Sequence, residues 1–236
     1  NVSEQCNMRC SYCFYTSGKD CERPHTDRKM DWETAKKAVD FFIMRNRETW
    51  RKFRLQEAAL AEGKVVKGAE LVPTPCVGFY GGEPLLNLEL IERVVLYVRS
   101  CENGPDYMIN CTVNGTLLMP DVCEYLAQNN IYISVSLDGP KEIHDRYRRT
   151  VGGAGTWDTI SKNLRYIKQT WPEYYDDNVM VLAVMAPPLD LRTLAGFVET
   201  WDLLPKRGMR FDGVEHGSPP CFWGPLAPWE REIRGW

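Results

Sequence analysis

VGFYGGEPLLNLELIERVVLYVRSC (77–101) reads as a strand, a glycine turn and a helix in immediate succession. Val77–Tyr80 is a short apolar and aromatic run, Gly81 and Gly82 break it, and Leu88–Cys101 carries a helical pattern. The same unit recurs on both sides. Tyr107–Val113, Ile131–Ser136, Val179–Met185 and Met209–Val214 read as further strands, and Trp32–Asn46, Pro120–Asn129, Trp157–Thr170 and Leu191–Leu203 as further helices. Asp31 is placed to cap the helix at Trp32, and Pro120 suits a first helical turn. Alternating strands and helices imply an α/β fold with a parallel sheet. Asn1–Ser3 reads as the end of an opening strand, which makes six strands with at least five crossover helices. That is too few for a closed eight-stranded barrel. Residues 47–75 form a longer connection than usual. Glu48–Glu62 is expected as a charged helix and Val65–Pro75 as a loop or small ribbon, a surface insertion or else a flap over a substrate.

With 236 residues, 44% of them hydrophobic, the chain can bury a full core as one domain. The net charge of −3 leaves no nucleic-acid footprint. No apolar run approaches the ~20 residues of a membrane span. Nine cysteines, an odd number, argue against a secreted disulfide framework and for a reducing cytoplasm.

Three of those cysteines, Cys6, Cys10 and Cys13 in CNMRCSYCFY (6–15), are spaced C-x3-C-x2-C. A structural zinc site takes four protein ligands, commonly in pairs, and the nearest additional candidates are Cys21 and His25. A cubane cluster takes four thiolates, so three leave one iron open to a ligand. A zinc knuckle and a disulfide loop remain the alternatives on spacing alone. In parallel α/β folds sites gather at the C-terminal ends of strands. The cysteine loop, GFYGGEPLLN (78–87), NCTVNGTLL (110–118) and SLDGPKEIHDRYRR (136–149) all fall at such ends.

Together these four stretches resemble the radical S-adenosylmethionine (SAM) enzymes, in the branch that holds anaerobic sulfatase maturases and the maturases of ribosomally made peptides. The resemblance covers residues 1–215 and implies an open, partial (β/α)6 TIM-like barrel. It makes 216–236 the start of a C-terminal extension or linker, with the auxiliary-cluster region of longer relatives not present. The implied cofactors are a 4Fe-4S cluster on Cys6, Cys10 and Cys13 and SAM chelated at the open iron, with auxiliary clusters expected only in a longer native chain. Tyr12, Gly82, Ser136 and Arg148 match SAM-contacting positions of the branch. Arg148 offers a fork for the methionine carboxylate, Ser136 a hydroxyl, and Tyr12 a contact near the adenine. Gly81 and Gly82 would admit the methionine amine to the backbone, and Glu83 would hold either that amine or the loop itself. Asn114 and Asp138 are candidates for ribose and carboxylate contacts, and Val214 for a backbone contact to adenine. Asp145, Arg146 and Arg149 are expected on the surface or behind the site.

Cys76, Cys101, Cys111 and Cys123 are expected to be structural, as is His144, whereas Cys21, Cys221 and His216 lie in loops where a site role stays open. The implied activity is hydrogen abstraction from a peptide or protein substrate, with electrons from a flavodoxin or ferredoxin. A thioether crosslink from Cys sulfur to carbon in a precursor peptide is the first expectation. Formylglycine generation in a sulfatase and aromatic carbon–carbon or carbon–oxygen crosslinking follow. A zinc-binding module without catalysis is the non-enzyme alternative.

Overall fold

The computed structural model describes residues 1–13, 15, 25–64, 74–101, 104–188 and 190–214. Its centre is a five-stranded parallel sheet of β1 (Cys76–Phe79), β2 (Met108–Val113), β3 (Tyr132–Ser136), β4 (Val179–Met185) and β5 (Met209–Gly213). The strands lie side by side in chain order. With right-handed crossovers, a sheet that never reverses its order sends every connecting helix to one face. That is the winding of a barrel wall and not of a doubly wound sheet. The opening strand is reduced to bridges at Ser3, which pairs in parallel with Gly81 beyond the end of β1 and antiparallel with Lys29.

Burial follows this one-sided cover. Ile109, Cys111, Val113, Ile133, Val135, Val179 and Val181 alternate along their strands and are buried against the helices. Their neighbours Asn110, Thr112, Ser134, Ser136 and Leu182 point to the other, concave face and stay partly accessible. Cys111 and Cys123 are inside the core.

The helices are α1 (Trp32–Ala61), α2 (Leu88–Ser100), α3 (Pro120–Gln128), α4 (Lys141–Tyr147), α5 (Trp157–Thr170), α6 (Pro172–Asn178) and α7 (Leu191–Thr200). Asp31 caps α1 by accepting the Thr34 N–H at 2.8 Å. The expected charged segment 48–62 is not a separate helix, because α1 runs through it to Ala61 without a break. Nothing in Asn46–Trp50 stops a helix, and Trp50 stacks on Phe53 and Tyr107 to hold the extension down. Two short helices, α4 and α6, went unread because seven residues show too little periodicity. Residues 65–73, and 216–236 with His216 and Cys221, lie outside the described residues, as does Cys21. No described helix is long and apolar enough to cross a membrane.

Candidate active site

The strands deliver their C-terminal ends to a cavity of about 300 Å³ on the concave side. Cys6, Cys10, Cys13 and Tyr12 line it from the cysteine loop, Gly81 and Gly82 from just beyond β1, Asn114 from just beyond β2, Ser136 from the end of β3, Arg148 from just beyond α4 and Val214 from just beyond β5. Ten of the twelve residues named from sequence therefore meet at one void. The other two, Glu83 and Asp138, are buried just behind it.

The cysteine loop is held by backbone pairing. Arg9 donates its N–H to Arg149 O at 2.8 Å, Ser11 to Tyr147 O at 3.0 Å, and Val151 to Asn7 O at 3.2 Å. The loop and the segment carrying Arg148 are thus one short antiparallel ladder, with Met8 and Thr150 bridged at its middle. The GGAG turn beyond it is shaped by Asp145, whose carboxylate accepts the N–H groups of Thr156 and Trp157 and so caps α5. A Cβ on Gly155 would lie 2.4 Å from that carboxylate, so only glycine fits there.

At the root of the loop the glycines of GGEP have a packing reason. A Cβ on Gly81 would come within 2.1 Å of Ser3 O, and one on Gly82 within 2.3 Å of Gln5 O. Their absence lets Gly82 and Glu83 donate backbone hydrogen bonds to Ser3 and Gln5 at 2.8 and 2.7 Å. The strand that feeds Cys6 is sewn to β1 by this contact. Glu83 faces the chain and not the cavity. Its two oxygens accept the N–H groups of Asn114 at 2.7 Å and Leu85 at 3.1 Å, tying the ends of β1 and β2 together. Burial raises its carboxyl pKa to about 7.

Asn114 closes the third side. Its Nδ2 donates to Asn7 Oδ1 at 2.8 Å and reaches Cys6 Sγ at 3.9 Å, and its Oδ1 accepts from the Thr116 hydroxyl at 2.7 Å. Met8 also donates its N–H to Cys6 Sγ at 3.4 Å. The three thiols are free. Burial raises the pKa of Cys6, and that of Cys10 to about 12. Among the described residues no three His, Cys, Asp or Glu side chains close on a single ion, and Cys6, Cys10 and Cys13 stand as three thiols on the cavity wall. That donor set fits a cluster that spreads its thiolates over different irons.

Opposite the thiols, Arg148 Nε donates to Asp138 Oδ2 at 2.9 Å, and its guanidinium lies over the Tyr12 ring at 5.3 Å. Burial alone would lower its pKa, but the Asp138 charge and hydrogen bond, with Tyr12 and Cys10 beside it, together outweigh this and raise it. His144 is buried and neutral, its pKa lowered to about 3 by burial and by Arg148. Its Nδ1 accepts the Asp138 N–H, which leaves Nε2–H to donate to Thr156 Oγ1 at 2.9 Å.

Tyr15 and Tyr80 line the cavity from inside two motifs without having been singled out, and His25, Leu182, Val184 and Asp212 line it with no motif. Leu182 and Val184 had one signal, their alternation at the C-terminal end of a strand. His25, weighed from sequence as a zinc ligand, places Nδ1 3.1 Å from Glu4 O and its ring 5.5 Å from that of Tyr15.

A parallel sheet wound one way, with a C-x3-C-x2-C loop at its C-terminal rim, defines a class of enzyme, and the comparisons agree. The model of the radical SAM superfamily matches residues 1–199, and the chain belongs to that family. With the family come a 4Fe-4S cluster and SAM. The chain is 27% identical over 176 residues to the cysteine-type anaerobic sulfatase-maturating enzyme of Clostridium novyi, covering 73% of this chain and 40% of that protein. It is 28% identical over 172 residues to the radical SAM cyclopropyl synthase TigE of Paramaledivibacter caminithermalis, covering 71% and 32%. The solved structure of native anSMEcpe with bound AdoMet superposes with a TM-score of 0.63 at 23% identity, over 91% of this chain and 50% of that one. The chain thus spans half or less of the length of these relatives.

Proposed function

We propose that this chain is the SAM-cleaving core of a maturase that takes a hydrogen atom from a residue of a peptide or protein, and that its product is a thioether between a Cys sulfur and a carbon of a ribosomally made precursor peptide. The observation that carries the SAM-cleaving reading is the convergence of three free thiols and the Arg148 fork on one cavity at the strand ends, and the maturase reading is supported by the relatives. When bound, the cluster and SAM supply a 5′-deoxyadenosyl radical. The protein's own tasks are positional. Cys6, Cys10 and Cys13 hold the cluster, and the hydrogen bonds to Cys6 Sγ spread its negative charge. Arg148 takes the methionine carboxylate of SAM, Ser136 offers a hydroxyl to the ribose side, and Tyr12 and Val214 flank the adenine. Gly81 and Gly82 let the segment leading into Cys6 pack against the end of β1 and so set where the cluster sits. A flavodoxin or ferredoxin supplies electrons, and a reducing cytoplasm suits three unpaired thiols.

A second reading, formylglycine formation in a sulfatase, is favoured by the names of the relatives. Two measurements test the proposal. After anaerobic reconstitution with iron and sulfide, the chain should be brown and form 5′-deoxyadenosine from SAM under dithionite. Alanine at Cys6, Cys10 and Cys13 together should remove both the absorbance and the product, and a variant that retained them would refute the site. A Cys-containing peptide matured by the native enzyme should lose two hydrogens with its sulfur retained. Loss of sulfur with a hydroxylamine-reactive aldehyde would instead establish the second reading.

A further inference from the structure

We propose that Asp138 is the positioning residue of the SAM site, a carboxylate that never touches the ligand but aims the Arg148 fork and anchors Tyr12 of the cysteine loop. The inference rests on the reading that Arg148 takes the SAM carboxylate.

Both oxygens of the Asp138 carboxylate are engaged by protein. Oδ2 accepts both the Tyr12 hydroxyl and Arg148 Nε, and Oδ1 accepts the Val184 N–H at 2.9 Å. Its side chain is 1% exposed and does not line the cavity, whereas Arg148 does. Two lone pairs of Oδ2 are spent on two donors, so that oxygen has nothing left for a ribose hydroxyl. The role expected for Asp138 from sequence, a direct contact, therefore does not match where it sits.

What the geometry offers instead is orientation. A guanidinium is a planar fork whose Nε and Nη edges share one plane. Fixing Nε on Asp138 sets that plane, and among the described residues the guanidinium hydrogen-bonds through Nε and through neither of its two Nη groups. They are the donors free for a carboxylate in the cavity. The same Oδ2 holds Tyr12, which lies between Cys10 and Cys13, and Oδ1 holds β4 through Val184. One buried charge thus joins the cysteine loop, the end of α4 and β4, and its own N–H is fixed in turn by His144.

A double-mutant cycle tests this in the reconstituted protein, with SAM affinity measured by anaerobic calorimetry and iron content measured in parallel. Asp138→Asn keeps an oxygen for Val184 but turns an N–H group toward Arg148. Alone it should weaken SAM about tenfold or more, the effect of losing a hydrogen bond to a charged group. In an Arg148→Ala background the same change should cost less than about twofold, since the two act as one unit. Equal losses in both backgrounds would overturn the proposal, because Asp138 would then act on SAM directly. No loss in the wild-type background would overturn it too. If Arg148→Ala itself left affinity unchanged, the carboxylate assignment would fall, and the proposal with it. Should Asp138→Asn not yield a cluster-binding protein, Asp138→Glu, which keeps the charge and shifts it by one methylene, takes its place in the cycle with the same outcomes.

Discussion

Replacing Glu83 with Gln should change how stability depends on pH. Burial raises the Glu83 carboxyl to about 7, well above an ordinary glutamate. Between the unfolded and folded values the native state binds more proton than the unfolded chain, so this group adds stability as pH falls through that window. A folded value near 7 and an unfolded value near 4.5 give a gain of about 2 kcal/mol on going from pH 7 to pH 5. Gln does not titrate, so the wild type should gain about 2 kcal/mol over Glu83→Gln across the same interval. At pH 7 the variant also loses one of two acceptors for the Asn114 and Leu85 N–H groups, a cost of about 1–3 kcal/mol that the relief of a buried charge offsets in part. Urea unfolding of both proteins at a series of pH values, followed by circular dichroism, gives the difference directly. A wild-type-minus-variant difference that is flat from pH 5 to pH 7 would refute the account, because Glu83 would then be ionised throughout. Weakened SAM binding with unchanged stability would return Glu83 to the amine contact.

His144 supplies the opposite slope. Its pKa is lowered to about 3, so below its unfolded value near 6.5 the unfolded chain binds the proton and stability is lost as pH falls. His144→Asn should remove a loss of about 2 kcal/mol between pH 7 and pH 5, and an unaltered slope in the same unfolding series would count against it. Gly82→Ala should release iron from the reconstituted protein, because its Cβ strikes the Gln5 carbonyl that leads into Cys6. Gly152→Ala, whose nearest neighbour would be Thr150 Oγ1 at 3.9 Å, is the control, and equal iron retention in both would refute the packing argument. Asn114→Ala should lower iron retention as well, through loss of the Asn7 bond at the loop, and iron content equal to wild type would show that the backbone ladder alone suffices.

The sequence alone determined the class. Strand periodicity and glycine turns located all five described strands to within a residue or so, since those patterns are local and β2, β3 and β4 each bury one side. The cysteine spacing announced the chemistry for the same reason: three thiols within eight residues need only one tight loop to meet. Contacts between distant segments were not readable. Nothing in Glu83 says that its oxygens will be taken by Asn114 and Leu85 rather than by a ligand, nor in Asp138 that Tyr12 and Arg148 will fill it. Leu182, Val184 and Asp212 carry no motif and line the cavity only because the sheet, wound in one direction, turns its uncovered face inward. A residue type limits which hydrogen bonds are open to it. Which of them forms is set by what the winding of the chain brings within 3 Å, and that belongs to the tertiary structure.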